Sequence, residues 1–190
     1  MPIIPPAGVA LPVVKTLADC TDFSKTVEPF IDQLYQLPQQ FVASVTSASA
    51  LKDLYISTNP LISGFAISLA LSVVFFVVSE ANKNYSQVDR CWSLLPTFYN
   101  AHYWLWANLN GLQSQRLDAL LALGCIWSTR LTYNYWRKGG YTVGSEDYRW
   151  AIVKKDINTP LWIIFNLTFI SIIQSVRKIL SDHLSTAASY

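Results

Sequence analysis

Charge is what this sequence has least of: 14% of its residues are Asp, Glu, Lys or Arg, against about 25% in an ordinary soluble domain. That shortage argues against a plain soluble enzyme. With 52% hydrophobic residues over 190 positions and a mean hydropathy of +0.27, the composition points instead to a small bundle of membrane helices. No basic tract is present to neutralise phosphates and the net charge is only +2, so nucleic acid is not an expected partner. Cys20, Cys91 and Cys125 are odd in number and widely spaced, which excludes a disulfide framework and a zinc cluster. His102 has no second ligand at metal spacing, and no Ser/His/Asp arrangement is readable, so no metal is expected. Phosphate-cradling glycine fingerprints, internal repeats and low-complexity tracts are also missing. Pro2, Pro5, Pro6 and Pro12 interrupt the apolar start before any charge, which is not the pattern of a secretory signal.

What is there is a series of long uncharged runs. Twenty-six uncharged residues separate Asp53 from Glu80, and at about 1.5 Å per residue some twenty of them span a hydrocarbon core of roughly 30 Å. Pro60 to Ser79 is therefore the clearest membrane helix. A second run lies between Arg90 and Arg116, wetter because of Asn100, His102, Asn108 and Asn110, with a kink expected at Pro96. Leu117 to Trp136 reads as a third span carrying Asp118 and Arg130, and Ile157 to Val176 as a fourth. The expected fold is all-α: a multi-span transmembrane bundle of about four membrane helices plus a short interfacial helix. Residues 1–59, with Asp19, Asp22, Glu28 and Asp32, form an acidic lumenal or interfacial segment in which Glu28 to Tyr55 makes one or two short amphipathic helices. Residues 60–176 form the membrane region and residues 177–190 a tail.

Six Lys/Arg lie from Arg130 to Asp156, Arg130 included, and the positive-inside rule places that connection in the cytosol. Asn84-Tyr85-Ser86 then falls in the cytosol and Asn166-Leu167-Thr168 inside the bilayer, so neither sequon should carry glycan. Gly139-Gly140 is expected to end the third helix. Ser145 is the expected N-cap of the interfacial helix, with Glu146 and Asp147 in its first turn and Lys154 and Lys155 closing it.

A charge at membrane depth costs about 2.5–3.5 kcal/mol on insertion scales and needs a partner or a wet cavity. Trp127, Arg130, Asn134 and Arg137 recur at spacings of three, four and three, one helix face bearing an indole, two guanidiniums and an amide. Such a face could hold a phosphate-bearing ligand. Equally, Arg130 could snorkel or pair with a carboxylate such as Asp89. Trp92, Phe98, Tyr99, Tyr103, Trp104 and Trp106 form either an interfacial aromatic belt or the wall of a flat cavity for a sterol-like or fatty substrate.

Four ordered blocks then carry a resemblance: Val88-Asp89-Arg90-Cys91-Trp92-Ser93-Leu94-Leu95-Pro96, Trp127-Ser128-Thr129-Arg130-Leu131-Thr132-Tyr133-Asn134, Arg137-Lys138-Gly139-Gly140-Tyr141 and Glu146-Asp147-Tyr148-Arg149-Trp150. Over about Pro60 to Gln174 the chain resembles the DUF1295 proteins, which belong with the steroid 5-alpha-reductase-like membrane enzymes. The resemblance implies an endoplasmic-reticulum membrane location, NADPH as cofactor and reduction of a carbon–carbon double bond in a lipid. It assigns Asp89 and Tyr133 to catalysis, with Trp127 standing where the family has its tyrosine. Arg130, Asn134, Arg137, Lys138, Tyr148 and Arg149 go to the cofactor, and Trp92, Tyr99 and Trp127 to the substrate. The family continues through further helices that close over the cofactor, and the tail departs from that pattern. The expectation is a partial form, weakly active or inactive by itself, completed by a longer product or an unknown partner chain. The alternative is a non-catalytic membrane protein in which the same residues only pack and anchor.

Overall fold

A computed structural model describes residues 8–176, so the tail at 177–190 lies outside the described residues. The chain is helical, with no strand among the described residues. Its N-terminal segment begins with two single-turn helices, α1 (Leu17–Cys20) and α2 (Phe23–Thr26), each started by a side-chain cap. Thr16 and Asp19 form a reciprocal capping box, and Asp22 accepts from the Ser24 amide. A 3₁₀ turn, Glu28–Phe30, leads into α3 (Ile31–Ser44), and Ser47 caps α4 (Ala48–Ser57). These two are the expected amphipathic helices of the N-terminal segment. Pro38 inside α3 removes one backbone donor from that helix.

Asn59 accepts from the Leu61 amide and Pro60 occupies the first turn, a start that suits proline because its missing N–H would be unpaired there anyway. From this cap α5 (Pro60–Asn82) runs 23 residues and stops at Lys83, which adopts the left-handed conformation with φ 52°. A short α6 (Gln87–Cys91) precedes α7 (Leu95–Leu109). Pro96 sits in the first turn of α7 and does not kink it. The predicted kink fails because the helix begins one residue before the proline, where no backbone bond is lost. The longest helix after α5 is α8 (Gln115–Arg137), which ends as expected at Gly139 with φ 79°.

The expected interfacial helix, α9 (Tyr148–Asp156), starts two residues later than Ser145 would have it. Asp147 is the cap, accepting from the Arg149 amide, whereas Ser145 and Glu146 lie before the helix and bond elsewhere. Lys154 and Lys155 occupy its last turn. Asn158 caps α10 (Thr159–Phe165), which continues into a π-helical segment, Asn166–Ile173.

Two of these helices are long and apolar enough to cross a membrane: α5 and the continuous stretch Thr159–Val176. Of the other two expected spans, α7 has 15 residues, about 22 Å. By length α8 would suffice, but it carries Arg116, Asp118, Arg130 and Arg137 and buries only Leu117 and Ser128.

Packing follows the small and polar side chains. At the α5 interface with the π segment, Ser68, Ser72 and Ser79 of α5 and Asn166 and Ser171 are all buried, as is Ser175 just beyond it. Asn166 Nδ2 donates to Glu80 Oε1 at 2.9 Å, tying the two apolar helices together. Ser93, in the turn before α7, meets the Thr132 hydroxyl of α8 at 2.7 Å, and Thr97 Oγ1 of α7 donates to the Gly124 carbonyl at 2.9 Å. The core that joins the ends of these helices contains Phe75, Tyr85, Val88, Leu95, Tyr99, Trp150, Trp162 and Ile170.

Candidate functional site

The turn after α5 and the segment leading into α9 lie side by side at a constant offset of 61 residues. Asn84 Nδ2 donates to the Ser145 carbonyl at 2.9 Å, the Tyr85 amide to Glu146 Oε1 at 2.8 Å, and the Asp147 amide to Ser86 Oγ at 2.8 Å. The same offset joins Trp150 Nε1 to Asp89 Oδ2 at 2.7 Å. Arg90 reinforces the junction by donating to the Ser145 carbonyl at 2.9 Å, while Tyr141 donates its hydroxyl to the Arg90 carbonyl at 2.8 Å. The four sequence blocks are thus drawn to one place.

Where they meet is a cleft of about 430 Å³, walled by Asp89, Trp92 and Ser93 from the first block, Leu131, Asn134, Tyr135 and Lys138 from α8, Asp147, Arg149 and Trp150 from the α9 entry, and Gln174 from the last helix. Asp89 is its shielded acid, its side chain 15% exposed. Burial pushes this carboxyl above the ordinary aspartate range, against the pull of the Trp150 N–H and the Arg149 charge. Arg149 lies 3.7 Å from Asp89 but is held by Asp147, Nε to Oδ1 and Nη2 to Oδ2, both at 2.8 Å. That bidentate bond holds Asp147 below the usual carboxylate range. Gln174 Oε1 is buried with no hydrogen-bond partner among the described residues. The lining therefore combines two carboxyls, one of them shielded and shifted upward, with two cations, two side-chain amides and two indoles.

Of the residues singled out from sequence, Asp89, Trp92, Asn134, Lys138 and Arg149 line the cleft. Arg130 and Arg137 are exposed on α8 outside its lining, Tyr148 is exposed, and Tyr99 is buried in the core. Tyr133 lines a separate shallow groove with Trp136 and Tyr141, and Trp127 is exposed on α8 outside both. Asp89 pairs with Trp150 and Arg149, not with Arg130. The helix face that meets the cleft is Leu131, Asn134, Tyr135 and Lys138, turned by about 70° from the Trp127–Arg130–Asn134–Arg137 stripe, with which it shares Asn134. Contacts of Gly124 with α7 and of Thr132 with Ser93 just before it accompany that phase. Trp150, Asp147 and Gln174 were not singled out. Trp150 stands inside the fourth, acidic and aromatic block, but nothing local announces its bond to a residue 61 positions earlier.

The fold and cleft define a class: an all-helical protein with two membrane-long apolar helices whose ends carry a polar, aromatic-lined site. The chain belongs to DUF1295, described as a protein family of unknown function, whose family model matches residues 75–187. An uncharacterized protein of Schizosaccharomyces pombe is 38% identical over 166 residues, 86% of this chain and 46% of the relative. The chain therefore spans about half the length of that curated relative. No solved structure matches.

Proposed function

We propose that this chain is an integral membrane protein, four helices deep, that contributes an NADPH and lipid site of the steroid-reductase-like kind, with the family resemblance supplying the cofactor and the endoplasmic-reticulum location. The observation that carries the reading is the convergence of all four blocks on one cleft holding a shielded carboxyl beside two cations.

The cleft suits part of the cofactor. Its volume is within the roughly 300–1,000 Å³ of small-molecule sites, and Lys138 and Arg149 could hold phosphate while the orphaned Gln174 oxygen and the Asn134 amide accept and donate to a carboxamide or ribose. Trp92 and Trp150 offer flat surfaces to a ring. When bound, NADPH supplies hydride. Burial raises the proton affinity of Asp89, which in its protonated form would donate to a substrate carbonyl, and Trp150 fixes the carboxyl's orientation. Tyr133, in its own groove, is 56% exposed and outside this reach. Because the lining accounts for a portion of a dinucleotide, the chain by itself is expected to turn over poorly.

The test is titration of NADPH into the detergent-purified chain, read by quenching of tryptophan fluorescence. Lys138→Ala should weaken binding about ten- to hundred-fold, the loss of a hydrogen bond to a charged group, and Arg149→Ala similarly, whereas Arg130→Ala, outside the cleft, should change it little. If the parent binds no NADPH, or Lys138→Ala binds as the parent does, the residues only pack and anchor and the non-catalytic reading replaces this one.

A further inference from the structure

Away from the polar cleft, the N-terminal helices and α5 form a second, half-open cavity, of about 720 Å³. Leu34, Leu37 and Phe41 of α3, Leu51 of α4, and Ile67 and Ala70 of α5 make its apolar walls. Every wall residue precedes Phe75, where the family match begins, and none carries a charge. A carboxylate or phosphodiester would lie there with no counter-ion, which is costly in an apolar site. One side of the cavity is α5 itself, so the space is continuous with the apolar surface of a membrane-long helix.

The polar end of the cavity has an unusual chemistry. It contains three hydroxyls, those of Tyr55, Thr58 and Ser63, and the proton of each is already committed. His102 Nε2 lies 3.0 Å from the Pro60 carbonyl, which can only accept, so Nε2 carries the ring proton and Nδ1 is an acceptor. The Tyr55 hydroxyl therefore donates to Nδ1, at 2.8 Å. Thr58 Oγ1 donates to the Leu54 carbonyl at 2.7 Å, and Ser63 Oγ to the carbonyls of Asn59 and Pro60, both at 3.3 Å. Only lone pairs remain to face a guest. Burial pushes the Tyr55 phenol up to about 12, so this end stays neutral at physiological pH.

We propose that this cavity binds a neutral membrane lipid whose long apolar body ends in a single hydroxyl, which donates to Tyr55 or Ser63. A charged head is excluded by the lining. A carbonyl of the same shape is disfavoured because it would set acceptor against acceptor, leaving buried polar atoms unpaired. The body can be a fused ring or a single chain; the alcohol is the shared feature. The proposal does not depend on the cofactor cleft, so it is tested on the full chain without NADPH. Binding of radiolabelled cholesterol and of oleyl alcohol to the purified chain is compared with that of cholest-4-en-3-one and oleate. At least one alcohol should bind about ten-fold or more tighter than its carbonyl or carboxylate counterpart, and the alcohol that does so identifies ring or chain. Ala70→Trp, which fills the cavity from α5, and Leu37→Trp, which fills it from α3, should each abolish binding while melting as the parent does. Tyr55→Phe should shrink the alcohol preference. Equal binding of alcohol and carbonyl, no binding of either alcohol, or binding that survives both tryptophan variants overturns the proposal.

Discussion

Asp89 is a carboxyl whose surroundings disagree about its charge: burial favours the neutral form, Trp150 and Arg149 the anion, and burial prevails. A group that holds its proton more tightly folded than unfolded stabilises the fold fully at pH below the ordinary aspartate value near 3.9, and that contribution is lost as pH rises through its elevated folded value. Asp147, held low by Arg149, works in the opposite sense, its contribution present above the ordinary value and lost toward acid. Comparing the parent with Asp89→Asn cancels the Asp147 contribution. The asparagine oxygen can still accept from Trp150, so thermal unfolding in detergent should show the variant gaining on the parent from pH 4 to pH 7, with the gap closing toward pH 4. A variant that instead loses ground as pH rises would mean the pull of Arg149 outweighs burial. Nothing in the neighbourhood of Asp89 in the sequence predicts this balance, because Arg149 and Trp150 lie 60 and 61 positions away.

Among the helices, the turn after α8 depends most sharply on one residue. A Cβ on Gly140 would collide with the Tyr135 ring, which packs edge-on against Tyr141 with centroids 5.0 Å apart. Gly140→Ala should therefore cost about 1–3 kcal/mol, the usual toll of overpacking, and shift the Tyr141 hydroxyl off the Arg90 carbonyl. A melting temperature equal to the parent's would show that the turn yields. Where helices begin and end was largely legible: uncharged runs marked α5 and the last helix, and Gly139 the end of α8. What periodicity does not carry is phase. The stripe through Arg130 and the stripe through Lys138 are both valid faces of α8, and the choice between them goes with Gly124 meeting Thr97 of α7 and Thr132 meeting Ser93 just before it, contacts written in another part of the chain. The cap of α9 was misread for a similar reason, since Ser145 and Asp147 are both good caps, and Ser145 is taken up by Asn84 and Arg90. Of the cleft, Asp89, Trp92, Asn134, Lys138 and Arg149 were assigned from the resemblance. Trp150 and Asp147, though inside a block, and Gln174 required the fold.

At the scale of the whole molecule, the cysteines offer a direct measure of how it sits in a membrane. Cys20 is exposed in the N-terminal segment and Cys125 is exposed near the centre of α8, while Cys91 is half-buried. If α8 crosses the bilayer as proposed, its exposed face meets lipid. A water-soluble maleimide added to opened membranes should then modify Cys20 quickly and Cys125 slowly, with both reacting after denaturation. Equal rates before denaturation would put α8 in water. In the same preparation Asn84 should carry no glycan, both because the proposed orientation keeps it cytosolic and because its side chain is engaged with Ser145. The junction that engages it also has a timetable. Asn84, Tyr85, Ser86 and Asp89 find their partners only after 61 more residues have left the ribosome, an interval that includes α7 and α8. Until Trp150 arrives, the Tyr85 amide and the Asp89 carboxyl at the entry to the cleft lack these partners, so a chain interrupted before that point has α5 but no site, and offers the cell's quality-control machinery a polar surface that the finished protein hides.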